Sequence, residues 1–84
     1  MKFDYNYMVD CDCRARDMTI SLEDRLRAEF EYRFLNILEA KALNNDKALI
    51  DNAKEKTYSF AQALCRTGVI GFSELWEIRN VIFG

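Results

Sequence analysis

Residues 2–9 largely alternate between apolar and polar positions. Phe3, Tyr5, Tyr7 and Val9 share one face of an extended chain, and a period of two with aromatic enrichment is typical of a β-strand. We therefore predict a short strand over residues 2–9. Residues 10–17 show no sustained periodicity, and residues 18–20 are interpreted as a candidate second strand that returns beside the first.

A helical period begins after Ser21. Ser21 with Asp24 three positions later resembles a capping box, and the apolar positions that follow recur at helical spacing to about residue 43. Ala28, Tyr32 and Leu35 form a second apolar stripe on the same helix. A helix that is apolar on two sides is either central to the fold or has one side available for a partner.

Two further helices are predicted, over residues 47–66 and 74–82. Asp46 and Ser73 are suitable N-caps for them, and Gly68 stands where a left-handed C-terminal cap belongs. The fold class is thus α+β and mostly α, with a short N-terminal strand or hairpin packed on a three-helix unit in one domain, 1–84. The predicted core comprises Leu26, Phe30, Phe34, Ile37, Leu38, Ile50, Phe60, Leu64, Leu75, Ile78 and Ile82.

The composition of the chain reduces the number of functions that we expect for it. Half of the residues are apolar and 31% are charged, with a net charge of −2, which is typical of a globular protein. Residues 1–9 lack the pattern of a signal peptide, so we expect a cytoplasmic protein without a membrane segment. The basic residues are compensated by acidic neighbours, which argues against direct nucleic-acid binding.

The cysteines suggest a metal site. Cys11 and Cys13 point to the same side if the backbone there is extended, and Cys65 lies in a helix that could pack beside them. Three thiolates and one carboxylate, from Asp10 or Asp12, would form a closed structural zinc site. Two alternatives stay open: Cys65 is a buried apolar residue and the other two are loop thiols, or the thiols have a redox or inter-chain role.

Catalysis is not expected from these residues. The chain has no histidine, which removes the commonest general base, and no nucleophile or phosphate-binding motif stands in its place. The chain has more large aromatic residues than a small core must bury, and such additional rings are typical of binding surfaces. They are Tyr5, Tyr7, Tyr32, Tyr58, Phe72 and Trp76.

In size, net acidity and lack of catalytic motifs the chain resembles the anti-CRISPR proteins of phages and mobile elements. The resemblance implies a stoichiometric inhibitor that occupies the surface of a Cas effector or another nucleic-acid enzyme in the host cell. It also implies a role in partner binding for the carboxylates of the first long helix, Glu23, Asp24, Glu29, Glu31 and Glu39. The alternative is a small self-assembling or transcription-regulatory module, for which a homodimer would be the simplest form.

Overall fold

Four helices make up the regular structure in a computed structural model that describes residues 4–43 and 45–84. They are α1 (Tyr5–Ala15), α2 (Leu22–Ala42), α3 (Lys47–Arg66) and α4 (Phe72–Phe83). The described residues form no strand, so the predicted α+β class is wrong and this is an all-α domain. Lys2 and Phe3 of the predicted strand lie outside the described residues.

The segment predicted as a strand folds as α1 because its helical signals outweigh its alternation. The Asp4 side chain caps the helix by accepting a hydrogen bond from the Tyr7 amide at 3.1 Å, as N-cap carboxylates do. Asp10–Arg14 and Asp12–Arg16 form ion pairs four residues apart at 3.2 and 3.1 Å, a spacing that supports helices. The returning strand predicted at residues 18–20 is also wrong, because these residues form a turn.

The other three helices match the sequence prediction closely. Ser21 caps α2 by accepting from the Asp24 amide at 3.1 Å, and Asp46 caps α3 by accepting from the Ala48 amide at 3.0 Å. Gly68 has a φ of 81°, the left-handed conformation that terminates helices and favours glycine. Only the start of α4 differs, because its N-cap is Gly71 and not Ser73. The predicted break at residues 44–46 includes Asn44, which lies outside the described residues.

The backbones of the helices approach one another in chain order, and α2 and α4 also meet through side chains. Backbone contacts join α1 to α2, α2 to α3 and α3 to α4, and the described parts of α1 and α3 make none with each other. The molecule is accordingly flat, with extents of 35 × 28 × 18 Å. Of the second apolar stripe of α2, Ala28 is buried beside α1, and Tyr32 and Leu35 are half-buried.

An apolar cluster lies where the first half of α2, the second half of α3 and α4 meet. Its buried centre is formed by Ala61, Leu64 and Ile70, and half-buried side chains of all three helices pack around it. Every predicted core residue is buried or half-buried. Polar contacts of Arg27 also join α2 to this region. Its guanidinium donates a hydrogen bond to the Val69 carbonyl at 2.8 Å and forms an ion pair with Glu74 of α4 at 3.3 Å.

Candidate functional site

The three cysteines occupy different environments. Cys11 is fully buried in α1, where its Sγ accepts a hydrogen bond from Arg14 at 3.4 Å. Cys13 is exposed. It lies two positions after the buried Cys11, and residues two positions apart in a helix point roughly 200° away from each other around the axis. Cys65 is half-buried in α3 and packs on the apolar cluster, and α3 makes no backbone contact with the described part of α1.

This placement removes the geometric basis of the zinc prediction without testing the metal itself. The argument required an extended backbone at Cys11 and Cys13, and that backbone is helical. Within residues 4–43 and 45–84, no group of three or more Cys, Asp or Glu side chains, Asp10 and Asp12 included, is arranged to hold a metal ion. A zinc ion on these thiols therefore stays a prediction.

The five carboxylates assigned to partner binding fall into two sets. Glu23 and Glu29 already form ion pairs on their own helix, with Arg27 at 3.5 Å and Arg33 at 3.0 Å. The other three stand at intervals of seven and eight residues, which places them on the side of α2 that also carries Ala28 and borders the α1 contact, with Asp24 exposed and Glu31 and Glu39 half-buried. These three, Asp24, Glu31 and Glu39, are called the acidic face below.

One member of the acidic face is joined to α1. The Tyr7 hydroxyl donates a hydrogen bond to Glu31 at 2.8 Å, and this bond, with partial burial and the carboxylate charge, raises the pKa of Tyr7 to about 12. Among the described residues neither Asp24 nor Glu39 forms an ion pair. These two carboxylates can therefore meet a cation of a partner without breaking an ion pair within residues 4–43 and 45–84.

A groove runs between α1 and α2 beside the acidic face. Its volume is about 330 Å³, and Tyr7, Asp24 and Glu31 contribute polar atoms to its walls. The two arginines that also line it, Arg14 and Arg27, are each engaged by carboxylates of their own helix. The groove is therefore open and mixed in polarity, which suits contact with a protein surface better than enclosure of a small molecule.

A second candidate surface lies on α4, where large rings are exposed. Phe72, Trp76 and Phe83 are 84%, 61% and 48% exposed. Phe83 stacks edge-on against Tyr58 of α3 at 5.5 Å, and the Arg79 guanidinium lies 5.3 Å from the centre of the Trp76 ring. These five residues are called the aromatic face below. Aromatic and arginine side chains are enriched at the centres of protein interfaces.

Sequence reasoning found part of the aromatic face and missed the rest. Phe72, Trp76 and Tyr58 stood out as surplus rings, whereas Phe83 and Arg79 were not singled out. The signal that could have found them is the spacing of four, three and four residues from 72 through 76 and 79 to 83. That spacing keeps four side chains on one side of a helix.

Comparison with family models, curated proteins and solved structures finds no match to this chain. The described helices include none with the length and apolar character that crossing a membrane requires.

Proposed function

We propose that the protein is a non-enzymatic inhibitor that occupies a basic surface of a nucleic-acid enzyme through its acidic face. The observation that supports the proposal is the uneven distribution of charge. Residues 4–42 contain nine acidic and six basic side chains, whereas residues 45–84 contain five of each. The negative excess therefore lies on the α1–α2 half, where Asp24 and Glu39 have no ion-pair partner among the described residues.

This distribution suits a partner whose surface is built to hold phosphates. Channels for nucleic acid are lined by lysine and arginine, and a complementary acidic face speeds association and fixes orientation. The resemblance to anti-CRISPR proteins indicates the same class of target, a Cas effector or another nucleic-acid enzyme. Inhibition by occupancy needs neither a catalytic group nor a cofactor.

Cleavage of DNA by purified Cas effector complexes tests the proposal. We expect one effector of the panel to be inhibited in proportion to added protein, with saturation near one copy per effector. The informative variant is Asp24→Lys combined with Glu39→Lys. It places cations where the acidic face meets the partner, and we expect inhibition to weaken by at least about tenfold.

A second double substitution on the other half of the molecule is the matched control. Asp51 and Glu77 are exposed and form no ion pair among the described residues. Asp51→Lys with Glu77→Lys changes the net charge by the same amount, and we expect inhibition within about threefold of the unmodified protein. Equal weakening by both pairs would show that only net charge matters. Full cleavage by every effector at about hundredfold excess would contradict the proposed target class.

A further inference from the structure

The aromatic face of α4 has the spacing of a helix-pairing seam. Phe72, Trp76, Arg79 and Phe83 are separated by four, three and four residues. At 3.6 residues per turn they stay within roughly 60° of one another around the helix axis. Alternating steps of three and four residues define the contact positions of coiled coils. The core-facing residues Leu75, Ile78 and Ile82 form a separate stripe beside this seam.

We propose that two copies of this chain pair through the aromatic face, with their α4 helices antiparallel across a two-fold axis. The seam is symmetric about the midpoint between positions 77 and 78. An antiparallel pair centred there sets Phe72 opposite the second copy's Phe83, and Trp76 opposite the second copy's Arg79. The same patch thus complements itself, as a two-fold interface requires.

The charges along the seam fit this register. Arg79 already lies 5.3 Å from the centre of its own Trp76 ring, and the pair gives each guanidinium a second indole face to contact. Ser73 and Asn80, which flank the seam, are uncharged and short. Glu74 lies away from the seam and is held by Arg27 of α2 at 3.3 Å. The two Arg79 guanidinium groups come within about one helical turn of each other along the axis, and each lies in a groove that the carboxylate of Glu55 also lines.

A groove beside Phe83 provides the receiving site for the second copy's Phe72. It has a volume of about 330 Å³ and is lined by Glu55, Tyr58, Ser59, Arg79 and Phe83. The groove is open to solvent and includes charged Glu55 and Arg79, and its Tyr58 and Phe83 rings provide the apolar contact for a phenyl ring. The register sets the most exposed ring of one copy, Phe72, against this groove in the other.

The area of the seam predicts a reversible dimer. From their exposed fractions, Phe72, Trp76 and Phe83 present about 400 Å² per copy. With the flanking polar side chains, two copies bury about 1,000 Å² in total, which is the lower limit for a specific interface. We therefore expect a dimer that dissociates on dilution into the micromolar range.

Sedimentation between about 1 µM and about 1 mM tests the pairing. We expect the mass to rise from 9.9 kDa toward twice that value. Phe72→Ser and Trp76→Ser should each raise the dissociation constant at least tenfold. Both side chains are exposed, and circular dichroism checks that each variant keeps its helices. Val81→Ser is the control, since Val81 is 64% exposed on the opposite side of α4, and it should leave the constant unchanged.

Photo-crosslinking tests the register. With Phe72 replaced by p-benzoylphenylalanine, irradiation should yield a covalent dimer whose linkage maps to the second copy's Phe83 or Tyr58. A linkage between the two copies of position 72 would overturn the antiparallel arrangement. A monomer at every concentration, or equal weakening by Val81→Ser and Phe72→Ser, would overturn the proposal. None of these variants touches the acidic face, so this test and the cleavage test fail independently.

Discussion

Truncation of Met8 should loosen α1 while leaving the rest of the molecule closed. Met8 and Cys11 are the two buried residues of α1, and α2 is the one described helix whose backbone α1 contacts. An isolated helix of 11 residues is marginal in water. The helical state of α1 therefore depends on docking to α2, and Met8 is the larger of the two buried side chains that α1 contributes.

The magnitude follows from the burial of that side chain. Met8 is 7% exposed, so Met8→Ala removes nearly all of a buried thioether chain, at a cost of about 2–3 kcal/mol. If α1 opens locally, this cost lowers the free energy of its opening and not that of the whole domain. Because each 1.4 kcal/mol changes the equilibrium constant for opening tenfold, the amides of α1 should exchange roughly 30- to 150-fold faster.

Native-state hydrogen exchange followed residue by residue measures this. In Met8→Ala the amides of α1 should lose protection, whereas those in the middle of α3 should keep their rates within about threefold. Val9→Ala is the matched control, because Val9 is the neighbouring exposed residue of the same helix. Equal acceleration in α1 and α3 would show that the four helices open as one unit, and the reasoning from serial packing would be refuted.

Two further predictions concern α1 side chains. Absorbance titration at alkaline pH should reveal one tyrosine with a pKa near 12, assigned to Tyr7 by its loss in Tyr7→Phe. Glu31→Gln should bring this pKa down toward 10.0, the ordinary value. Since the folded pKa is raised, the stabilisation is fully present below pH 10 and is lost as the pH rises toward 12. In the native protein Cys13 should react quickly with a thiol reagent and Cys11 only on unfolding. Protection of all three thiols until chelation, together with one equivalent of zinc by elemental analysis, would instead support the predicted metal site.

The long helices were predictable because their signals are redundant. In α2 and α3, apolar residues recur over about five turns, and Ser21, Asp46 and Gly68 mark the ends. The N-terminal segment offered an alternation over residues 2–9 that Met8 already interrupts, and so short a pattern does not separate strand from helix. The Asp10–Arg14 and Asp12–Arg16 pairs were the better indication, since side chains four residues apart meet only on a helix.

The candidate surfaces were less predictable because they depend on contacts between helices. The resemblance to anti-CRISPR proteins singled out the acidic residues of α2, but the sequence could not show that Tyr7, 24 positions away, would donate to Glu31. The geometric premise of the zinc prediction was wrong for a similar reason. It depended on the local backbone of α1 and on contact between α1 and α3, and neither follows from the spacing of the thiols.

Serial packing gives each terminal helix one packed side and one free side, and the two free sides differ in chemistry. That of α1 combines exposed Tyr5 and Val9 with charged Asp12 and Arg16, a mixture that water accommodates well. The seam of α4 contains three exposed rings and one charge, that of Arg79. Rings of this size are seldom exposed together on a monomer. This contrast favours self-association through α4, and because the acidic face lies on α2, a pair of copies would present it twice.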